Sequence, residues 1–296
     1  MKNRYFAVLT CLLLFIIVSG CNQNRGQIPS PPAVPRRIIS VVPAVTEMLF
    51  ALGVGDRVIA VGDYDRFPPE VQALPRIGGL LNPNIEKIIE MKPDLVITYG
   101  TQDVLRQRLI AVGIRMEPFS HGSIDRTLHY LVDLGKTVGQ EARGREITTK
   151  IQDVFNDLRR TAPPRRPTVL LVDSRETGML GSFYTIGSKG FQNDLIEIAG
   201  GRNIFADVDQ DGLQPILEEV IRRAPEIIIE TIGSAADPQD IEQRRKDWQQ
   251  LDKIPAVANH RVYVVAADYM LIPGIRLDQA AKKFAELIRT APPARQ

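Results

Sequence analysis

From Ser123 to Arg160 the sequence carries two helical patterns in succession and leaves no room for a strand. Ser123 is placed to cap the first, and Leu128, Leu131, Val132 and Leu134 form its apolar stripe. Gly139 interrupts the pattern, Glu141 restarts it, and Ile147, Ile151, Val154, Phe155 and Leu158 recur at spacings of three and four until Pro163-Pro164 ends the run. Before Ser123 and after Pro167, short β-branched runs alternate with helical patterns. This arrangement predicts an α/β protein of two lobes, residues 36–122 and 163–296, joined by a helical connector over residues 123–162.

At 296 residues, 44% hydrophobic and 24% charged, the chain is long enough for two lobes of about 100 to 150 residues each. Its formal charge of +2 resides on Lys2 and Arg4, so from residue 21 onward 35 basic groups balance 35 acidic ones, which argues against nucleic acid as a partner. Lys2 and Arg4 precede an apolar run, Phe6 to Val18, that is short for a membrane span and fits a signal peptide over residues 1–20. Val18-Ser19-Gly20-Cys21 resembles the bacterial lipobox, which predicts cleavage before Cys21 and its lipidation. Cys11 falls in the discarded segment, so no internal disulfide is expected. Asn22 to Pro35 holds four prolines and no period, and residues 21–35 therefore read as the lipidated cysteine and a tether. The expected location is the extracytoplasmic face of the bacterial envelope.

In the first lobe, apolar runs at Ile38 to Val42, Val58 to Val61, Leu95 to Thr98 and Ile114 to Phe119 alternate with helical patterns, as in a mostly parallel, buried sheet. The second lobe repeats this grammar. Leu195 to Ile204 aligns without a gap on Leu49 to Val58, and Glu218 leads to Pro225-Glu226-Ile227 at the spacing with which Glu86 leads to Pro93-Asp94-Leu95. Each lobe thus has a helix that ends at a proline and feeds a buried strand. An enzyme is not expected: only three histidines occur, and no GxSxG, HExxH, Walker-type or dinucleotide signature appears in its required context. Asp63 and Asp65 read as loop residues that cap helices or meet water, since no further ligand falls at metal-site spacing beside them and His121, and no metal site is expected.

Arg37 to Glu47, Gly78 to Glu86, Lys92 to Ile97, Ala199 to Ile204 and Asn259 to Tyr263 together resemble the solute-binding proteins of ABC importers for cobalamin, haem and iron-siderophores. The resemblance implies a type III periplasmic binding protein: two Rossmann-like lobes with mostly parallel sheets, joined by a long rigid interdomain helix. It further implies a monomer without a resident cofactor, which captures a metal chelate and delivers it to a permease dimer served by a cytoplasmic ATPase. Asp63-Tyr64 before Phe67-Pro68-Pro69-Glu70 resembles the cobalamin-type loop, so a corrinoid is the first expectation, with haem or a ferric siderophore the alternatives. Leu80 and Gly212 stand where cobalamin-binding relatives place tryptophans, and the one tryptophan, Trp248, lies elsewhere.

A flat chelate needs aromatic faces and a few polar groups at its edge. At the carboxyl ends of the expected strands these are Asp63, Tyr64, Tyr99 and His121 in the first lobe and Arg175, Phe183, Tyr184 and Tyr269 in the second. By the same resemblance Glu86 and Glu218, near the starts of matching helices, pair with arginines of the permease, although the helix dipole is itself a sufficient reason for a carboxylate there.

Overall fold

The computed structural model describes residues 33–233 and 236–290, all but the first two of these within a compact unit, Pro35–Gln296. The expectations for the signal peptide, for Cys21 and for the start of the tether lie outside the described residues.

The first sheet holds β1 (Ile38–Ser40), β2 (Val58–Val61), β3 (Leu95–Tyr99) and β4 (Arg115–Phe119) in the order β2-β1-β3-β4, every pair parallel. Strands β1, β2 and β3 are nearly continuous apolar runs because helices cover the sheet, and Ile38, Ile39, Val96 and Ile97 are fully buried, whereas the edge strand β4 buries only Phe119. The connecting helices are Pro43–Ala51, Ile85–Glu90 and Asp103–Ala111. Asn84 starts the second of these by accepting the Lys87 backbone N–H at 2.9 Å. Parallel order places the segments after all four strands, residues 62–65, 100–102 and 120–122 among them, at one edge.

The second sheet has six strands, β5 (Thr168–Arg175), β6 (Phe183–Ile186), β7 (Arg202–Asn203), β8 (Gly212–Leu213), β9 (Ile227–Ile232) and β10 (Val262–Ala266). The path runs β10-β9-β5-β6-β8, with β7 also beside β5. Strands β10, β9, β5 and β7 pair with one another in parallel, whereas β6 runs antiparallel to both β5 and β8. The hairpin from β5 to β6 departs from the alternating grammar expected of this lobe. Its turn passes through Gly178 at φ +82°, a left-handed conformation that glycine adopts without cost.

The connector is two helices, Ile124–Thr137 and Glu141–Arg160, with Gly139 at φ +76° between them. Ser123 Oγ accepts the Arg126 N–H at the start of the first. Its apolar stripe is divided: Ile124 and Leu128 belong to a core with Ile151, Phe155, Leu195 and Phe284, while Leu131 and Leu134 belong to the core of the first sheet. Half-buried Ile147 of the second helix packs against both. A third apolar cluster, around Phe183, Phe205 and Trp248, fills the other face of the second sheet. No helix among the described residues is long and apolar enough to cross a membrane.

Candidate functional site: a cleft between the lobes

The edge formed by the segments after the strands of the first sheet meets the second lobe at a cleft of about 450 Å3. His121, two residues past β4, forms the first lobe's part of the lining. The opposite wall is built by Asp173 and Ser174 of β5, Tyr184 of β6, Gln192 of the helix Phe191–Ala199, Asp211 before β8, and Leu271. A neighbouring recess of about 430 Å3 shares Asp173, Ser174 and Leu271 and continues toward Thr231 and Arg244.

The His121 ring is held by aromatic contacts, 4.8 Å between centroids from Tyr99 and 5.7 Å edge-on from Phe119. Burial lowers its pKa against an opposing pull from Asp211, so the imidazole is neutral at neutral pH. Burial, then the Asp211 charge, raises the Tyr99 phenol. Asp173 Oδ1 accepts from Gln192 Nε2 at 3.1 Å, and burial followed by the charge of Asp211 pushes its carboxyl pKa up. Three polar side chains of the second lobe thus converge on one region, and they escaped sequence reasoning. The one local trace was Asp173, an acid that directly follows the buried run Val169–Val172 at a strand's carboxyl end.

Of the eight residues expected to face a ligand, His121 and Tyr184 line the cleft; Tyr99 stands behind His121, Arg175 borders the adjoining recess, and Phe183, Tyr269, Asp63 and Tyr64 lie off the lining. The Arg175 side chain is fully buried, with Nη2 2.9 Å from Glu230 Oε2 and Nη1 2.7 Å from Asp247 Oδ2. Glu230 also receives Trp248 Nε1 and Arg244 Nη1, so the lone tryptophan and both arginines belong to a buried, mutually satisfied network. Phe183 points the other way from Tyr184, because neighbours on a strand alternate faces, and it packs edge-on against Trp248 at 6.0 Å. Tyr269 lines a separate cavity with Arg245, Tyr263 and Lys283. Asp63 and Tyr64 stand on an exposed loop, with Tyr64 63% exposed.

Glu86 is exposed and ion-paired with Arg108 at 2.8 Å. Glu218 is exposed at the start of Leu217–Arg223, whereas its neighbour Glu219 pairs with Arg222 and Arg223 of the same helix. Among the described residues no group of three or more His, Cys, Asp or Glu is arranged to hold a bare metal ion.

Residues 38–269 match the model of a family described as periplasmic binding protein, and this span takes in both sheets and all of the cleft's lining but Leu271. The chain belongs to that family. It is a family of solute receptors, not of enzymes, and it operates outside the cytoplasm. The chain is 28% identical over 265 residues to an uncharacterized ABC transporter substrate-binding lipoprotein, YvrC, of Bacillus subtilis, covering 86% of this chain and 80% of that one. It is 25% identical over 286 residues to the vitamin B12-binding protein of Vibrio cholerae, with 96% and 97% covered. Among solved structures, a possible iron-binding periplasmic solute-binding protein of Staphylococcus epidermidis superposes with a TM-score of 0.74 at 26% identity, covering 87% of this chain and all of that one.

Proposed function

We propose that this periplasmic binding protein is the solute receptor of an ABC importer, that it captures a metal chelate between its lobes, and that the chelate is a corrinoid. The observation that carries this reading is the cleft itself. His121 backed by Tyr99 stands on one side and Tyr184 and Asp211 on the other, a slot that combines aromatic rings with polar groups at the carboxyl ends of two sheets. Likeness to a vitamin B12-binding protein along almost the full length of both chains supports the corrinoid. Calorimetric titration with cobinamide, cobalamin, haemin and ferric siderophores tests the reading, and failure to bind any of the four overturns it. Haem is the second reading, favoured by the neutral imidazole of His121, which is competent as an axial ligand. A Soret change that His121→Ala abolishes would establish it.

The receptor acts as a monomer tethered by lipid on Cys21, handing its ligand to a permease dimer driven by a cytoplasmic ATPase. Val18 to Cys21 supports the anchor, as does the lipoprotein description of the Bacillus relative. Cys21→Ser is expected to shift the protein from the membrane fraction to the soluble or unprocessed one; unchanged lipid labelling would rule the anchor out. Docking falls to Glu86 and Glu218, one exposed carboxylate per lobe, which would set orientation and on-rate on a two-fold partner more than affinity.

A further inference from the structure

The cleft's second-lobe wall has a one-sided chemistry. Its charged residues are Asp173 and Asp211, and no lysine or arginine lines the same cavity. The arginines of the adjoining recess are committed elsewhere: Arg175 to Glu230 and Asp247, Arg244 to Glu230 and Asp240. On the facing side His121 is neutral. The remaining polar lining consists of Ser174, Thr185, Tyr184 and Gln192, groups that accept as readily as they donate.

The acceptors are contiguous. A Cβ placed on Gly190 would lie 3.0 Å from Asp211 Oδ1 and 3.6 Å from Gln192 Oε1, so both oxygens crowd the same glycine. Gln192 in turn gives its amide N–H to Asp173 Oδ1, leaving Asp173 Oδ2 and its own Oε1 to accept from elsewhere. A ligand that closes the cleft must either bring hydrogen-bond donors to this stripe or leave carboxylates desolvated and unpaired, and the latter is costly. A free carboxylate on the ligand would be worse placed still, facing like charge with no counterion.

From this arrangement we infer that Asp173 and Asp211, spaced by Gln192, are specificity-determining residues: they select chelates whose rim carries amide or ammonium donors and reject chelates whose rim carries carboxylates. The inference rests on the chelate-receptor reading and narrows it. A corrin ring edged with primary amides and a ferric hydroxamate with a free ammonium satisfy the stripe; haem, with two propionates, and ferric tris-catecholates do not.

The test is calorimetry on the folded chain with dicyanocobinamide, a cationic ferric hydroxamate, haemin and a ferric tris-catecholate. One of the first two is expected to bind at least about 10-fold more tightly than either anionic chelate, the scale of one charge-assisted hydrogen bond. Asp173→Asn and Asp211→Asn, each melting like the parent protein, are expected to weaken the preferred ligand about 10-fold. Asp211→Lys should narrow or invert the preference. Haemin or the catecholate binding as tightly as the donor-rimmed chelates overturns the inference while leaving the receptor reading intact, as do Asn variants that leave the preference unmoved. Binding of none of the four rejects both.

Discussion

Arg175 sits at the carboxyl end of a central strand, where a receptor for an anion would offer its cation, yet its guanidinium is enclosed by Glu230 and Asp247 and shares Glu230 with Arg244. Removing it takes the only cation among the described residues in ion-pair contact with buried Asp247 and one of two from Glu230, which keeps Arg244 and Trp248, a loss of about 3 to 5 kcal/mol. Arg175→Ala is therefore expected to lower the urea midpoint sharply; a variant that keeps parental stability but loses ligand would return Arg175 to the binding surface. Asp65 presents the reverse case. It is fully buried, and neither carboxyl oxygen has a hydrogen-bond partner, because Thr46 Oγ1 donates to Ser40 and the Gly62 N–H to the Ser40 carbonyl. Burial pushes its pKa from 3.8 up to about 7, a rise eased only in part by nearby Thr46, Gly62 and Arg76 and added to by the charge of Glu47. The unfolded chain releases this proton near the ordinary carboxyl value while the folded chain holds it, so stability falls as pH rises from about 4 to about 7 and levels off above. Asp65→Asn removes that slope, and its stability relative to the parent should grow by up to about 4 kcal/mol across the window in denaturation at several pH values.

Among elements, the pair of helices Ile85–Glu90 and Leu217–Arg223 was the most legible in the sequence, since a glutamate, a proline at fixed spacing and a buried run are local signals. The pair is not equivalent in charge: Glu86 is bound to Arg108 from the next helix, while Glu218 stands apart from the ion pairs that occupy Glu219. Glu86→Ala and Glu218→Ala are each expected to leave chelate affinity and folding nearly unchanged while reducing uptake, the double change more than either. Transport that survives the double change at normal receptor levels would leave only the helix-terminus role of these carboxylates. The β5–β6 hairpin was not legible, because alternation of strand and helix in one lobe predicts the same in the other, and the short Phe183–Ile186 run carries no helix between itself and β5. Its consequence reached the site: pairing against β5 decides that Tyr184 faces the cleft and Phe183 the core. Asp173, Gln192 and Asp211 come from a strand, a helix and a loop, and no local spacing encodes a meeting of that kind.

For the whole molecule, the lobes are joined by more than the chain that runs between them. Glu47 of the first lobe and Arg276 of the second form a buried ion pair, Nε to Oε2 at 2.9 Å, and the guanidinium lies 4.3 Å from the Phe67 ring and 5.8 Å from that of Tyr269. Glu47→Gln should destabilise the folded chain by about 3 to 5 kcal/mol by leaving that buried cation without its carboxylate, and exchanging the two residues should recover part of the loss. An exchange no better than the single change would show that the site tolerates only the native polarity. The connector gives the second tie, since a single helix supplies Leu131 and Leu134 to one core and Ile124 and Leu128 to the other, and the helix after it, 20 residues or about 30 Å long, touches both. A frame welded in this way has its binding slot assembled before any ligand arrives, so little ordering entropy is lost on capture. It is also expected to keep nearly one outline whether loaded or vacant. A membrane partner gripping the two lobes at their far ends would find the same spacing in both states, and occupancy would have to be sensed at the mouth of the slot. Vacant copies would then queue for the same transporter as loaded ones, and the abundance of the receptor, as well as its affinity, would set the rate of import.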